Sequence, residues 1–219
     1  MADGEPKYRR VRPALRREHL IASTLAALAE HGASGASVRR IAAKAAVSVG
    51  LINHHYAHLE DLVAEAYESL ATSILCQILE GVEKVGSAPR ARVSAFIAVS
   101  FSNAVLDPRH LSAWLVFWSM IRHSDAMKAV RVRTNENYRR ELATLLSALA
   151  ASSRDGAAMD VRLATIGLCA MMDGLWLDWC LDARDFNPAE GIEICEAWIE
   201  ERWPRALVPK RRRTKPFGT

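Results

Sequence analysis

The chain has 219 residues, of which half are apolar and a quarter are charged, a composition typical of a globular protein with a sizeable core. No apolar run reaches the roughly 18 residues that a membrane span needs, and the opening MADGEPKYRR lacks the apolar segment of a signal peptide. Four scattered cysteines without a CxxC pair favour free thiols in the cytoplasm over disulfides or a zinc site.

Charge is unevenly distributed along the chain. Residues 1–57 hold nine Lys or Arg against four Asp or Glu, and residues 210–219 hold five Lys or Arg and no acid. Because the whole chain carries +4, residues 58–209 carry −6. A basic head on an acidic body suits a protein that presents one end to DNA. We therefore expect a head (1–57) that opens with a flexible arm, a helical body (58–209) and a disordered basic tail (210–219).

Three helices are predicted in the head. The first begins near Pro13, which is tolerated in a first turn, and ends at Gly32. The second follows Ser37 as its N-cap, and its apolar residues fall at helical spacing. The third is short, follows Ser48 as its N-cap and ends at about Tyr56.

The second and third helices have the pattern of a helix-turn-helix, whose second helix lies in the major groove of DNA. Gly50 would let this helix approach DNA closely, Asn53 can make a paired contact to a base edge, and His54 can reach a base or a phosphate. On pattern alone, an amphipathic helix pair in an ordinary all-α core is an equal alternative.

The segments LIASTLAALAEHG (20–32), SVRRIAAKAAVS (37–48), VGLINHHY (49–56) and EDL (60–62) resemble the N-terminal domain of TetR-family repressors. The resemblance and the helix-turn-helix pattern together imply a set of DNA-contacting residues, in which plain solubility is the alternative role for the two arginines. The set is Ser37, Arg39, Arg40, Ser48, Val49, Gly50, Asn53, His54, His55 and Tyr56.

Two positions depart from the family's pattern. Ala46 stands in the inter-helix turn where members usually carry Gly, and a left-handed Ala there would cost about 1 kcal/mol. Leu59 stands where members commonly carry a phosphate-contacting Lys, so that contact is not expected here.

The body is predicted to be all-α and brings the chain to about nine helices. The fourth helix runs from His58 or Leu59 to Val85 and is long enough to connect the head to the rest. The remaining helices are predicted at about 90–106, 108–123, 125–151, 157–181 and 188–203. The seventh, at 125–151, is expected to be polar and Arg-rich on its outer face.

Two body helices carry aromatic and acidic residues at helical spacing. Trp114 and Trp118 form an i,i+4 pair, and Asp173 interrupts an apolar run with Trp176 one turn away. Aromatic faces with a carboxylate suit a quaternary-ammonium ligand. From composition alone we favour the alternative, in which the tryptophans pack in the core and Asp173 caps a helix or pairs with an Arg.

The segments AWLVFWSMIRHS (113–124) and MMDGLWLDWCL (171–181) resemble BetI-type repressors, TetR-family members that repress choline-to-glycine-betaine genes and respond to choline. The resemblance implies that Trp114, Trp118, Asp173 and Trp176 line a ligand pocket. A TetR-family regulator of other genes with a different small-molecule ligand is the alternative.

Small residues in helices eight and nine permit close helix packing: Gly167, Ala170, Gly174 and Ala197. The resemblance implies a homodimer through these two helices, with packing inside one chain as the alternative for the small residues. The expected function is therefore a cytoplasmic, dimeric, ligand-responsive repressor that binds double-stranded operator DNA and needs no cofactor, metal or membrane. A helical adaptor without DNA binding is a remote alternative.

An enzyme is not expected. His54, His55 and His58 with Asp61 could be imagined as a metal cluster, but the adjacent histidines point apart on a helix. The sequence also contains no HExxH, no GxSxG and no Gly-rich phosphate loop.

Overall fold

A computed structural model describes residues 6–153, 160–182, 184 and 187–204, with the backbone alone for residues 6–14. Over these residues the chain is all-α, as predicted, with a short 3-10 turn after the first helix. The helices are α1 (Pro6–His31), α2 (Val38–Lys44), α3 (Val49–His55), α4 (Leu59–Glu83), α5 (Pro89–Ser100), α6 (Pro108–Ile121), α7 (Asp125–Ser152), α8 (Val161–Leu181) and α9 (Pro188–Arg202).

Two helix boundaries differ from the sequence prediction. The first helix begins at Pro6 and not near Pro13, so part of the expected flexible arm is helical. The fifth helix ends at Ser100 and not at Leu106, because turns with backbone bonds at Ser102, Val105 and Leu106 replace its last residues. The predicted start of the eighth helix at 157 and the tail at 210–219 lie outside the described residues.

The predicted N-caps are occupied as expected, with one difference. The Ser48 hydroxyl accepts the Leu51 N–H at 3.2 Å, and the Asn187 side chain caps α9 ahead of Pro188 at its first position. Ser37 has extended backbone at the start of α2, but its hydroxyl accepts no capping bond. That hydroxyl therefore keeps its acceptor capacity for another partner.

Two hydrophobic cores form, and α4 contributes to both. Leu62 packs into the smaller core beside Ile41 and Ile52 of the head. The following residues of α4, including Tyr67 and Leu70, pack into the large core of the body. One rigid helix thus joins the two cores, and it also packs against α1, α5, α6 and α7.

Two helices, α4 and α8, are long and apolar enough to cross a membrane by length and composition. In this fold both pack within the body. Only 33% of the apolar stretch of α8 is buried, against 44% for α4. The eighth helix therefore leaves more of its apolar surface uncovered than a central core helix does.

Candidate nucleic-acid interface and ligand cavity

The turn between α2 and α3 is left-handed at Ala46, with φ of 52°. The Val47 N–H donates to the Ala42 carbonyl at 3.0 Å and the Ala46 N–H donates to the Ala43 carbonyl at 3.2 Å. These paired bonds form the Schellman motif that ends many helices. Ala46 therefore has the left-handed backbone for which the sequence analysis gave a cost, and its Cβ makes that conformation strained.

One face of α3 is exposed, while Ile52 anchors the opposite face in the head core. Val49, Gly50, Asn53 and His54 are all exposed and follow the i, i+1, i+4, i+5 spacing of a single helical face. A Cβ on Gly50 would meet only the Ser48 hydroxyl, at 3.8 Å. Nothing inside the described chain therefore requires glycine at this position.

The second helix adds charge beside this face. Arg39 and Arg40 are exposed, and neither forms an ion pair with a described residue. Lys44 differs from them, because its ammonium pairs with Glu30 of α1. Two guanidinium groups are thus free to meet phosphates, whereas the lysine is already engaged.

Tyr56 lies apart from the other predicted contact residues, because its ring is 8% exposed and packs in the head core. Its hydroxyl donates to Glu65 of α4 at 2.8 Å, and Arg17 of α1 pairs with the same carboxylate. Burial raises the pKa of this phenol to about 12. The ring therefore ties the head to α4, and its contact with DNA stays a prediction.

Among the histidines near α3, His58 has a structural role in the described fold. His58 is the N-cap of α4 and forms a capping box with Asp61, whose carboxylate accepts the His58 N–H at 3.3 Å. His54 and His55 meet edge to face, with ring centroids 5.4 Å apart. Across the described residues, no group of three or more His, Cys, Asp or Glu is placed to hold a metal ion.

A cavity lies in the body where α4, α6, α7 and α8 meet, with about 50 Å³ open to the centres of water-sized spheres and about 530 Å³ of space between atoms when the adjoining open solvent is included. All four residues singled out from the sequence line it, namely Trp114 and Trp118 from α6 and Asp173 and Trp176 from α8. The Trp176 indole N–H donates to the Ser100 carbonyl at 3.1 Å, which fixes the ring plane. The structure therefore brings these residues together, although they are far apart in sequence.

Asp173 lines this cavity and has no charged group in direct contact within the described residues. It makes no hydrogen bond and no ion pair within 4.0 Å to any described residue, so neither the helix-capping role nor the Arg pairing considered from sequence is formed. Burial raises the pKa of its carboxyl, and the positive charges of Arg131 and Arg139 oppose that effect. The residue is half-buried, so its carboxylate keeps some contact with water and can interact with a cation that enters the cavity.

The sequence reasoning missed further residues of the cavity wall. Tyr67 of α4 is fully buried, stacks on Phe117 at 4.9 Å and meets Trp114 edge to face at 5.2 Å. Its hydroxyl has no hydrogen-bond partner among the described residues. Nothing in its sequence neighbourhood distinguishes this tyrosine from ordinary core packing.

The seventh helix carries exposed arginines at Arg133 and Arg140 on its outer face, as expected, but it also lines the cavity. Arg131, Asn135 and Tyr138 all line the cavity. They follow i, i+4, i+7 spacing, on the same face as the buried Met127 and Leu142. Extending the helical spacing of the buried residues Met127 and Leu142 through the polar middle of α7 would have identified these three residues as facing inward.

The two halves of the chain match two families of regulators. Residues 20–66 match the profile of bacterial regulatory proteins of the tetR family, and residues 89–204 match the profile of the C-terminal domain of BetI-type transcriptional repressors. The HTH-type transcriptional regulator BetI of Pectobacterium carotovorum subsp. carotovorum (strain PC1) is 30% identical over 196 residues, covering 87% of this chain and 95% of that protein.

Solved structures share the fold. A transcriptional regulator from Pseudomonas aeruginosa PAO1 is 41% identical with a TM-score of 0.79, covering 91% of this chain and 95% of that chain. A regulator from Saccharomonospora viridis, solved in complex with choline, has a TM-score of 0.75 at 16% identity and covers 87% of this chain and 98% of that one. At such low identity the second similarity shows the fold alone.

Proposed function

Because the chain belongs to the TetR family of transcriptional regulators and carries a BetI-type C-terminal domain, we propose that it is a dimeric cytoplasmic repressor that leaves its operator when a small quaternary-ammonium molecule such as choline fills the cavity. The observation that carries the ligand assignment is the cavity itself, whose wall combines three tryptophans with one carboxylate that makes no hydrogen bond and no ion pair within 4.0 Å in the described chain. Genes of choline-to-glycine-betaine conversion are the proposed targets.

Operator recognition is assigned to the exposed face of α3. Asn53 and His54 read base edges, and Gly50 lies at the closest approach of backbone to DNA. Arg39 and Arg40 contact DNA phosphates beside α3. The Ser37 hydroxyl, which accepts no capping hydrogen bond in α2, contacts a phosphate as well. The support for this assignment is that none of these side chains has a role inside the described fold.

Dimerisation is assigned to an apolar stripe along α8. Leu163, Ala170, Gly174 and Leu181 are exposed at i, i+7, i+11 and i+18, with side chains of Leu163 and Leu181 58% and 69% exposed. Nothing lies within 4 Å of a Cβ built on Gly174, so a helix from a second copy can approach there.

Intramolecular packing explains one of the small residues predicted at the dimer contact. A Cβ on Gly167 would meet the Trp198 ring at 3.2 Å, so this glycine serves the packing of α8 on α9 within one chain. On α9, Ala197 is exposed and Ile194 is 45% exposed, so they extend the proposed dimer surface. The stripe on α8 and these two residues together form the surface that a second copy would cover.

Ligand binding is assigned to the indole rings and Asp173. Aromatic faces attract a quaternary ammonium through the ring quadrupole, and this attraction strengthens to about 2 kcal/mol when water is excluded. The carboxylate then gains a positive charge in direct contact, in addition to the more distant charges of Arg131 and Arg139. Trp114 and Tyr67 pack edge to face, which fixes the orientation of both rings in the cavity wall.

Coupling to DNA runs through α4. Tyr67 lies in the cavity wall, the neighbouring Glu68 accepts two hydrogen bonds at 3.1 Å from Arg133 of α7, and Glu65 holds Arg17 and Tyr56 of the head. A ligand can shift the spacing of the two heads only by binding one body conformation better than the other.

The test is a gel shift on the DNA upstream of the chain's own gene, with competitor DNA, repeated with choline and with betaine aldehyde. We expect a specific protein–DNA complex, and we expect either compound to dissociate it. Loss of specific binding to that DNA, followed by failure of a selection from random duplexes, would refute the DNA-binding assignment. A specific complex that ignores both compounds would refute the ligand assignment and keep the repressor.

Two substitutions separate base reading from phosphate contact. Asn53→Ala should relax discrimination between operator and mutated operator, whereas Arg39→Ala should weaken both equally and reduce the salt dependence of binding. An Asn53→Ala protein that keeps full discrimination would show that α3 does not read bases through this residue.

A further inference from the structure

The cavity wall also carries basic and amide groups, which a ligand with only a positive charge would not contact. Arg131 of α7 lines the same cavity as Asp173 of α8, yet the two side chains form no ion pair within 4.0 Å. The Asn135 amide also lines the cavity and has no hydrogen-bond partner among the described residues. The buried Tyr67 hydroxyl forms no hydrogen bond of ordinary geometry, although Arg131 and Thr134 lie close enough to lower its pKa against the larger effect of burial, which raises it.

These unpaired groups divide into an acidic side and a basic side. Asp173 lies one turn before Trp176 on α8, whereas Arg131 and Asn135 are four residues apart on one face of α7. Arg139, two turns beyond Arg131 on that face, adds a further positive field at Asp173. The cavity therefore offers a carboxylate on one helix and guanidinium and amide donors on another.

Charge balance decides between ligand classes. A guanidinium stays protonated at every accessible pH, so Arg131 is a fixed positive charge in the wall. Choline would neutralise Asp173, the carboxylate whose negative charge now interacts with Arg131 across the cavity, and would supply no anionic group in its place. A ligand that carries an anionic group as well as an ammonium compensates both side chains at once, and an anion on a guanidinium is among the strongest polar contacts in proteins.

We infer that the cavity takes a zwitterion, with its quaternary ammonium over the indole rings beside Asp173 and its carboxylate or phosphate on Arg131 and Asn135. The orphan Tyr67 hydroxyl donates a further hydrogen bond to the anionic end. This inference rests on the proposed function, because the ammonium end uses the same tryptophans and carboxylate. It adds Arg131 as the residue that sets the ligand's second charge.

The test is isothermal titration calorimetry of the full chain with four probes. Choline carries the ammonium alone, glycine betaine and γ-butyrobetaine add a carboxylate on short and longer spacers, and phosphocholine adds a phosphate. We expect at least one zwitterion to bind about tenfold more tightly than choline, the factor that one charge-assisted hydrogen-bond pair typically supplies. The two carboxylates and the phosphate then identify the anionic group.

Substitutions assign that preference to the basic side. Arg131→Gln should weaken the preferred zwitterion about tenfold and leave choline nearly unchanged, and Asn135→Asp should favour choline over every zwitterion. Arg140→Gln on the exposed side of the same helix is the matched control and should change neither affinity. Thermal unfolding of each unliganded variant identifies any that fails to fold, and the Asn135 variant keeps the test open in that case.

The outcomes separate this inference from the proposed function. If choline binds the unaltered chain as tightly as every zwitterion, or if Arg131→Gln weakens choline and zwitterion equally, the inference is wrong while the cation sensor stands. If none of the four probes binds, the quaternary-ammonium assignment falls and the inference falls with it. Specific DNA binding in the gel shift is independent of either result.

Discussion

Replacing Ala46 by Gly should stabilise the chain, although it removes a side chain. The backbone there is left-handed, with φ of 52°, and an L-residue pays about 1–2 kcal/mol for that conformation. Glycine escapes this cost but makes the unfolded chain more flexible, which offsets about 0.4–1 kcal/mol. Because Ala46 is exposed, its methyl group contributes little packing. The expected net gain is about 0.5–1 kcal/mol, or roughly 2 °C in Tm.

The matched control is Ala43→Gly, an exposed position with right-handed backbone in α2, the helix that ends just before Ala46. Glycine inside a helix costs about 1 kcal/mol relative to alanine, so the control should lower stability. Thermal and urea unfolding followed by circular dichroism measure both variants against the unaltered chain. Equal destabilisation by the two substitutions would refute a left-handed Ala46 and with it the Schellman turn between α2 and α3.

Three further substitutions test the assigned surfaces. Gly50→Ala should leave Tm unchanged or slightly higher, because space for the methyl group is open. The same substitution should weaken operator binding about tenfold or more in fluorescence anisotropy. Unchanged affinity would mean that α3 does not approach DNA at this residue. Gly174→Arg should give a monomer in light scattering while Ala98→Arg, exposed on α5, should not, and a persisting dimer would place the interface elsewhere. Tyr56→Phe should cost about 1 kcal/mol in urea unfolding by removing the 2.8 Å hydrogen bond to Glu65, and an unaltered midpoint would show that this bond contributes nothing.

Most of the fold follows from local patterns that the sequence displays openly. The N-caps Ser48 and Asn187, the helix-spaced apolar residues and the prolines at helix starts fix where most helices lie. The end of α5 escaped this reasoning because the turns at 101–106 keep Phe101, Val105 and Leu106 buried, so the apolar run continues after the helix has stopped. Periodicity alone does not distinguish such turns from another turn of helix.

The cavity was only half predictable, for a physical reason. Trp114, Trp118 and Trp176 were conspicuous because large aromatic residues at helical spacing are rare, and Asp173 because it interrupts an apolar run. Arg131 was hidden because it lies among other charged residues of α7, where solvent exposure is the ordinary expectation. Which arginine of a polar helix turns inward is decided by tertiary packing, and only three-dimensional contacts reveal it.

The arrangement of α4 has a consequence for how such a protein can change over time. Glu65 and Glu68, which connect to the head and to α7, lie within one helical turn of Tyr67 in the cavity wall. Apart from Tyr67, the polar and aromatic groups of the cavity wall lie on α6, α7 and α8. Substitutions on those three helices can therefore alter the proposed ligand site while the proposed connection on α4 and the proposed DNA-reading face on α3 keep their residues. The layout lets chemical specificity diverge separately from the genes being controlled.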